Sequence, residues 1–295
     1  MKFYLPSFLL SCIALVLLCN TAHADDLDDI LNSGTLRHLG IPYANFITTD
    51  GQGLDVELMQ AFARHLGVRY EFVESSWQDI IGDLTGIKIK VEGETVTKVG
   101  TVPKKGHVIS TGFTVLPWRK KIVLFSEQTF PSGIWLVARS NSALTPIKPT
   151  GDIEKDIELV KGQLKGFSVL GLKDTCLEPS IYGIDKTGAI IRFFPPEGDL
   201  SEMIPSVIAK NADATLIDVP VALMALAKWP GKIKVIGPIS KPQKMACAFA
   251  QDSPRLHAAF TEFFAEFTRQ GKYKAIVSKY YPSVFSYYPD FLSGK

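Results

Sequence analysis

The sequence has few cysteines, no surplus of charge, no catalytic signature and, beyond its first residues, no long apolar run. Of four cysteines in 295 residues, Cys12 and Cys19 fall in the N-terminal stretch. Only Cys176 and Cys247 remain, so at most one disulfide is open to the chain; it forms in an oxidising compartment if their Cα atoms come within about 7 Å. Lys and Arg number 32 against 30 Asp and Glu, a net charge of +2. That balance gives no footing for binding nucleic acid or an anionic membrane. No later segment approaches the about 20 apolar residues of a membrane helix, so an exported chain is expected to be soluble. There is no G-x-S-x-G elbow, P-loop, G-x-G-x-x-G or H-E-x-x-H. His38, His65, His107 and His257 are scattered, without i,i+4 spacing or a cysteine partner, so neither a metal site nor a cofactor is expected. Cys176 has no histidine near it in sequence to make it a nucleophile. Glu178 is the one carboxylate to weigh as a cleft acid, and a helix first-turn role explains it more simply.

What is present begins with an export leader. Lys2 supplies a positive start, Phe8 to Leu18 is apolar over a secretory length, and Ala22-His23-Ala24 is a small-x-small cleavage pattern. The mature chain is expected to begin at Asp25, in the periplasm. Leu18 is bulky where a lipid-anchored Cys19 would need a small neighbour. The remaining length suits two compact units, each with its own core.

Along the chain, strand-like and helix-like segments alternate, which argues for an α/β fold. Leu36–Ile41, Val68–Val73, His107–Ser110, Ile122–Phe125 and Ile134–Ala138 read as strands. Leu54–Leu66 carries Leu54, Leu58, Ala61, Phe62 and Leu66 at near-helical period, and Trp77–Leu84 fits a short helix. Gly86–Lys105 changes pattern: Ile87, Ile89 and Val91 alternate with polar residues before a turn at Gly93, which predicts a β-hairpin. Helices are then expected at 153–164, 200–209, 219–227, 253–270 and 273–280, with strands at 167–170, 213–217, 233–236 and 245–250. Taken alone, Arg119 in Trp118-Arg119-Lys120-Lys121 reads as a solvated basic turn. Asp218 before Val219-Pro220 reads as a helix N-cap, and so does Thr175.

Six stretches in order resemble the family 3 periplasmic solute-binding proteins, the polar amino-acid receptors of bacterial uptake systems. They are LDDILNSGTLRHLGI (27–41), GQGLDVEL (51–58), GHVISTGFTVLPWRKKIVLFS (106–126), KGFSVLGLKDTCLE (165–178), ADATLIDVPVA (212–222) and FTRQGKYKAIVSKYY (267–281). Three features depart from the pattern. His107 stands where the family usually has Asp, Leu116 where it has Thr or Ser, and the 86–105 hairpin resembles an insertion that reshapes the cleft mouth or serves as a docking surface.

The resemblance implies a two-lobed, type II periplasmic-binding fold, each lobe a central sheet flanked by helices. After the leader at 1–24, lobe 1 would comprise 25–138 with the hairpin 86–105, lobe 2 139–243, and the second part of lobe 1 244–295. It implies that Arg119 clamps a ligand carboxylate through its planar fork, helped by Thr114 and by Thr175 from the other lobe. Asp218 would take the ammonium, and Tyr43 and Trp77 would wall the side chain; Phe46 is read as core. The function implied is capture of an amino-acid-like solute by a monomer, without chemistry, for the membrane subunits of an ABC permease. The alternatives are a periplasmic sensor or docking protein on the same fold and, third, a dehydratase-like enzyme. Some murein-cleaving enzymes carry a similar module, but with the sequence closing at Lys295 a lytic domain is not expected.

Overall fold

The computed structural model describes residues 26–92, 95–173, 175–195 and 202–292. The expected leader, with Lys2, Phe8–Leu18, Cys12, Cys19 and the step at Ala24, lies outside the described residues.

The chain opens with α1 (Asp26–Ser33), β1 (Thr35–Gly40), α2 (Leu54–Leu66), β2 (Arg69–Glu74), α3 (Ile80–Thr85) and the pair β3 (Ile87–Glu92) and β4 (Thr95–Thr101). Next come β5 (Val108–Ile109), the one-turn α4 (Pro117–Lys120) and β6 (Val123–Phe125). α2 forms because Leu54, Leu58 and Phe62 recur on one face, all fully buried, and it stops at Gly67 in the left-handed region, φ +71°.

Strand β7 (Phe130–Ser132) leads out to a second set of elements: β8 (Ile134–Arg139), α5 (Ile153–Lys161), β9 (Ser168–Gly171) and β10 (Ile190–Phe193). The set continues with α6 (Met203–Ile208), β11 (Ala214–Asp218), α7 (Val219–Lys228) and β12 (Ile233–Pro238). β13 (Gln243–Met245) leads back, and β14 (Ala248–Ala250), α8 (Pro254–Arg269), α9 (Lys272–Tyr280) and α10 (Val284–Tyr287) follow.

Two five-stranded sheets result, ordered β2-β1-β5-β14-β6 and β10-β9-β11-β8-β12. In each, three parallel strands meet an antiparallel pair. Between the sheets the chain crosses twice, and the crossings pair antiparallel as β7 and β13, with Ser132 opposite Gln243 and Phe130 opposite Met245. The molecule is therefore a two-lobed α/β structure with a two-strand hinge.

Several expectations shift. Ile134–Arg139 pairs with β11 and β12, so this strand belongs to the second sheet rather than to a first lobe running to residue 138. The strand expected at 245–250 is broken at Ala246-Cys247, because its first part must pair in the hinge and its last part in the first sheet. Trp77 lies in a turn ahead of α3 rather than inside it. Cys176 and Cys247 are both free; Cys247 Sγ lies 3.2 Å from Ser110 Oγ in the first core. The hairpin forms as β3–β4, with Ile89 and Val96 packed on the core around Leu39 and Ile109. Among the described residues no helix is long and apolar enough to cross a membrane.

Candidate functional site

Pro117 starts α4 directly after an extended Leu116, and Arg119 in that turn is half-buried. Its guanidinium folds back over the Phe113 ring, 4.0 Å from the centroid, and lies 5.2 Å from that of Trp118. One terminal nitrogen donates to the Thr114 carbonyl at 2.8 Å, while Nε is buried without a partner. Burial lowers the Arg119 pKa to about 10, opposed by the neighbouring Cys176, and the side chain stays cationic at neutral pH.

Thr114 is held by an antiparallel bridge to Met245 of the hinge. The turn before it is set by Gly112, φ +59°, where a Cβ would come within 2.5 Å of the Phe46 ring. The Gly112 N–H donates to Asp55 Oδ2 at 2.7 Å. Asp55 is buried in the first turn of α2, with Oδ1 unpaired, and burial raises its pKa to about 7.

Asp218 closes β11 and stands at the N-cap position of α7. It accepts a hydrogen bond from the Tyr43 hydroxyl, so first and second lobe already touch here. Its other oxygen, Oδ1, is buried without a partner. Burial raises the Asp218 pKa to about 7, against the lowering effect of the Val221 backbone N–H. Tyr43 sits in a turn after β1, stacked on Phe46 and edge-on to Trp77, each at 5.9 Å. Phe46 itself is fully buried, as core.

These side chains surround one cavity of about 290 Å³, and all six residues singled out in the sequence line it: Tyr43, Trp77, Thr114, Arg119, Thr175 and Asp218. Thr175 is placed differently from expectation. The segment directly after it is a turn that leads to short 3-10 segments at Pro179–Tyr182 and Ile184–Lys186, not an α-helix. Its hydroxyl donates to the Leu172 carbonyl at 2.9 Å and accepts from the Leu177 N–H at 3.0 Å, so the helix-dipole contribution does not arise.

Other wall residues were not marked by the sequence. Cys176, Leu172 and Ile217 come from the second lobe, Gln243 and Met245 from the hinge. Apolar strand residues carry no local sign of which face meets a cleft. Leu116 lines the same cavity. His107 does not: it is buried beside β1, where Nδ1 accepts the Arg37 N–H at 3.0 Å. Glu178 instead accepts from the Ser180 hydroxyl at 2.9 Å. A larger hollow of about 590 Å³ beside the hinge, near Trp135 and Tyr288, has its charged groups already engaged: Asp156 with Thr150, and Lys234 with the Ser142 carbonyl.

Comparison with known proteins agrees with this architecture. The family model for bacterial extracellular solute-binding proteins, family 3, matches residues 86–283. The chain is 25% identical over 237 residues to a membrane-bound lytic murein transglycosylase F from Desulfosudis oleivorans, covering 79% of this chain and 44% of that protein. It thus spans less than half the length of that relative. It is 24% identical to the L-cystine-binding protein TcyJ of Escherichia coli, over 81% of this chain and 79% of the relative. Among solved structures, the ancestral amino-acid-binding protein AncCDT-1 superposes with a TM-score of 0.62 at 25% identity, covering 88% of this chain and all of that one (100%). The unliganded, open L-cystine receptor of Neisseria gonorrhoeae gives 0.59 at 23% identity, over 87% and 96% of the two chains. That likeness shows the fold.

Proposed function

The chain belongs to the bacterial extracellular solute-binding proteins, family 3, and on that premise we propose that it captures one free amino acid between its lobes and releases it unaltered. The observation that carries this reading is a cation from the first lobe and an anion from the second lining one cavity, Arg119 and Asp218. Each keeps one buried polar atom without a partner, Nε and Oδ1. An α-amino acid supplies both missing partners from a single carbon. Its carboxylate meets the guanidinium fork, beside Thr114, and its ammonium meets Asp218.

Bonds of this kind contribute on the order of 1.5–3 kcal/mol each. Three or four of them, less the cost of association and ordering, correspond to an affinity near micromolar. Because the two charges sit on different lobes, full engagement requires both lobes on one ligand, and the β7–β13 pair is the natural hinge. Export through the N-terminal leader and hand-over to the membrane subunits of an ABC permease complete the proposed role.

The test is calorimetric titration of protein unfolded and refolded to remove carried-over ligand. Arg119→Ala is expected to weaken binding more than ten-fold while the melting temperature of the ligand-free protein barely moves. An unaltered Kd would remove Arg119 from the site. A second reading, a sensing module not coupled to uptake, draws on the murein transglycosylase relatives, in which the matched region is under half of the protein. Uptake of labelled ligand by cells with and without the gene separates the two, and mass spectrometry of recovered ligand tests the absence of chemistry.

A further inference from the structure

The two charges at this cavity are the only ones among its described lining residues. If the site takes an amino acid, as proposed above, both are spent on the α-carboxylate and the α-ammonium, and no described lining residue remains to meet a charge on the side chain. Much of the rest of the wall is apolar. Ile134 and Ile217 from the second sheet are each 1% exposed, and Met245 from the hinge 2%. Ile134 lies directly opposite Asp218 in the β8–β11 register, so the ammonium site is bordered by hydrocarbon. Leu116, Leu172 and Val221 add to this wall.

We infer that the site selects an amino acid with an uncharged, largely apolar side chain. A lysine, arginine, aspartate or glutamate side chain enclosed here would be stripped of water with no counter-charge, a cost that grows steeply with burial. An apolar side chain gains in proportion to the area it removes from water. The uncharged polar groups that remain, such as the Gln243 amide and the Ser132 hydroxyl at the hinge, can satisfy a hydrogen bond but not a charge. The Tyr43 and Trp77 rings could hold a cation against a π-face, yet Tyr43 has one face stacked on Phe46 and Trp77 meets it edge-on. Size points the same way: about 290 Å³ is at the small end of the roughly 300–1,000 Å³ of ligand pockets, room for one amino acid rather than a peptide.

The experiment is calorimetric titration of the purified, ligand-stripped protein with leucine, methionine and phenylalanine against lysine, arginine, aspartate and glutamate. At least one of the first three is expected to bind ten-fold or more tightly than every charged one, and Arg119→Ala is expected to abolish that heat. A charged amino acid binding as tightly or more tightly overturns the selectivity while leaving the amino-acid reading standing. Heat that survives Arg119→Ala unchanged places the ligand outside this cavity and overturns both. Silence from all seven overturns the apolar selectivity, and silence from the remaining common amino acids as well overturns the amino-acid reading.

Discussion

Arg119 Nε and Asp218 Oδ1 are buried without partners, and each such group costs the unliganded protein stability that a ligand can restore. At Asp218 that cost falls on the charged form, and burial lifts the carboxyl pKa from 3.8 to about 7. A raised folded-state value means that the proton is held more tightly in the native state. The stability contributed by protonated Asp218 is therefore fully present below about pH 4 and is lost as the pH rises through about 7. Asp218→Asn should accordingly stabilise the ligand-free protein most at pH 8, with the gain over the parent shrinking by pH 5, as followed by thermal unfolding. Ligand binding runs the other way, because an ammonium needs the carboxylate: lowering the pH from 8 to 6 should weaken the affinity roughly ten-fold. A flat Kd across that range would mean that Asp218 does not meet the ammonium.

Among the elements, the β3–β4 ribbon is anchored at its foot by Lys105 on Asp83 at 2.9 Å and Lys104 on Asp252 at 3.2 Å, and none of its described residues lines the cavity. Replacing residues 88–100 with a short Gly-Ser link should leave the Kd within about three-fold, while the melting temperature falls because Ile89 and Val96 leave the core. A ten-fold loss of affinity would instead make the ribbon part of the cleft. This element was legible because the alternation of Ile87, Ile89 and Val91 ahead of Gly93 is local information; Gly93 itself lies outside the described residues. The same holds for α2, whose Leu54, Leu58 and Phe62 mark its buried face. β7 and β10 were not singled out: β7 carries Pro131 at its centre, a residue that argues against a strand, and β10 is only four residues long.

For the whole molecule, the proposed function makes binding and compaction one event about the β7–β13 hinge. Ligand at a hundred times its Kd adds about 2.7 kcal/mol of stability, a rise in melting temperature of about 5–10 °C for a chain of this size. Small-angle scattering should show a smaller radius of gyration in the same sample. A thermal shift with unchanged scattering would mean that the lobes are already closed, a state the Tyr43–Asp218 contact would favour.

By itself the sequence determined the alternation of strands and helices and the hairpin, because hydrophobic period and turn chemistry act over a few neighbours, while the family resemblance implied which polar residues meet a ligand. The sequence alone read Arg119 as a basic turn and Asp218 as a cap, and locally both descriptions hold. Only the tertiary structure decided that they line one cavity, that Ile134–Arg139 serves the second sheet, that Cys176 and Cys247 stay apart, and that much of the cavity wall is hydrocarbon. Those outcomes depend on strand pairing and burial between segments a hundred residues apart. No local pattern encodes such distances, and desolvation, the force that makes these two charges useful, exists only once the chain has closed around them.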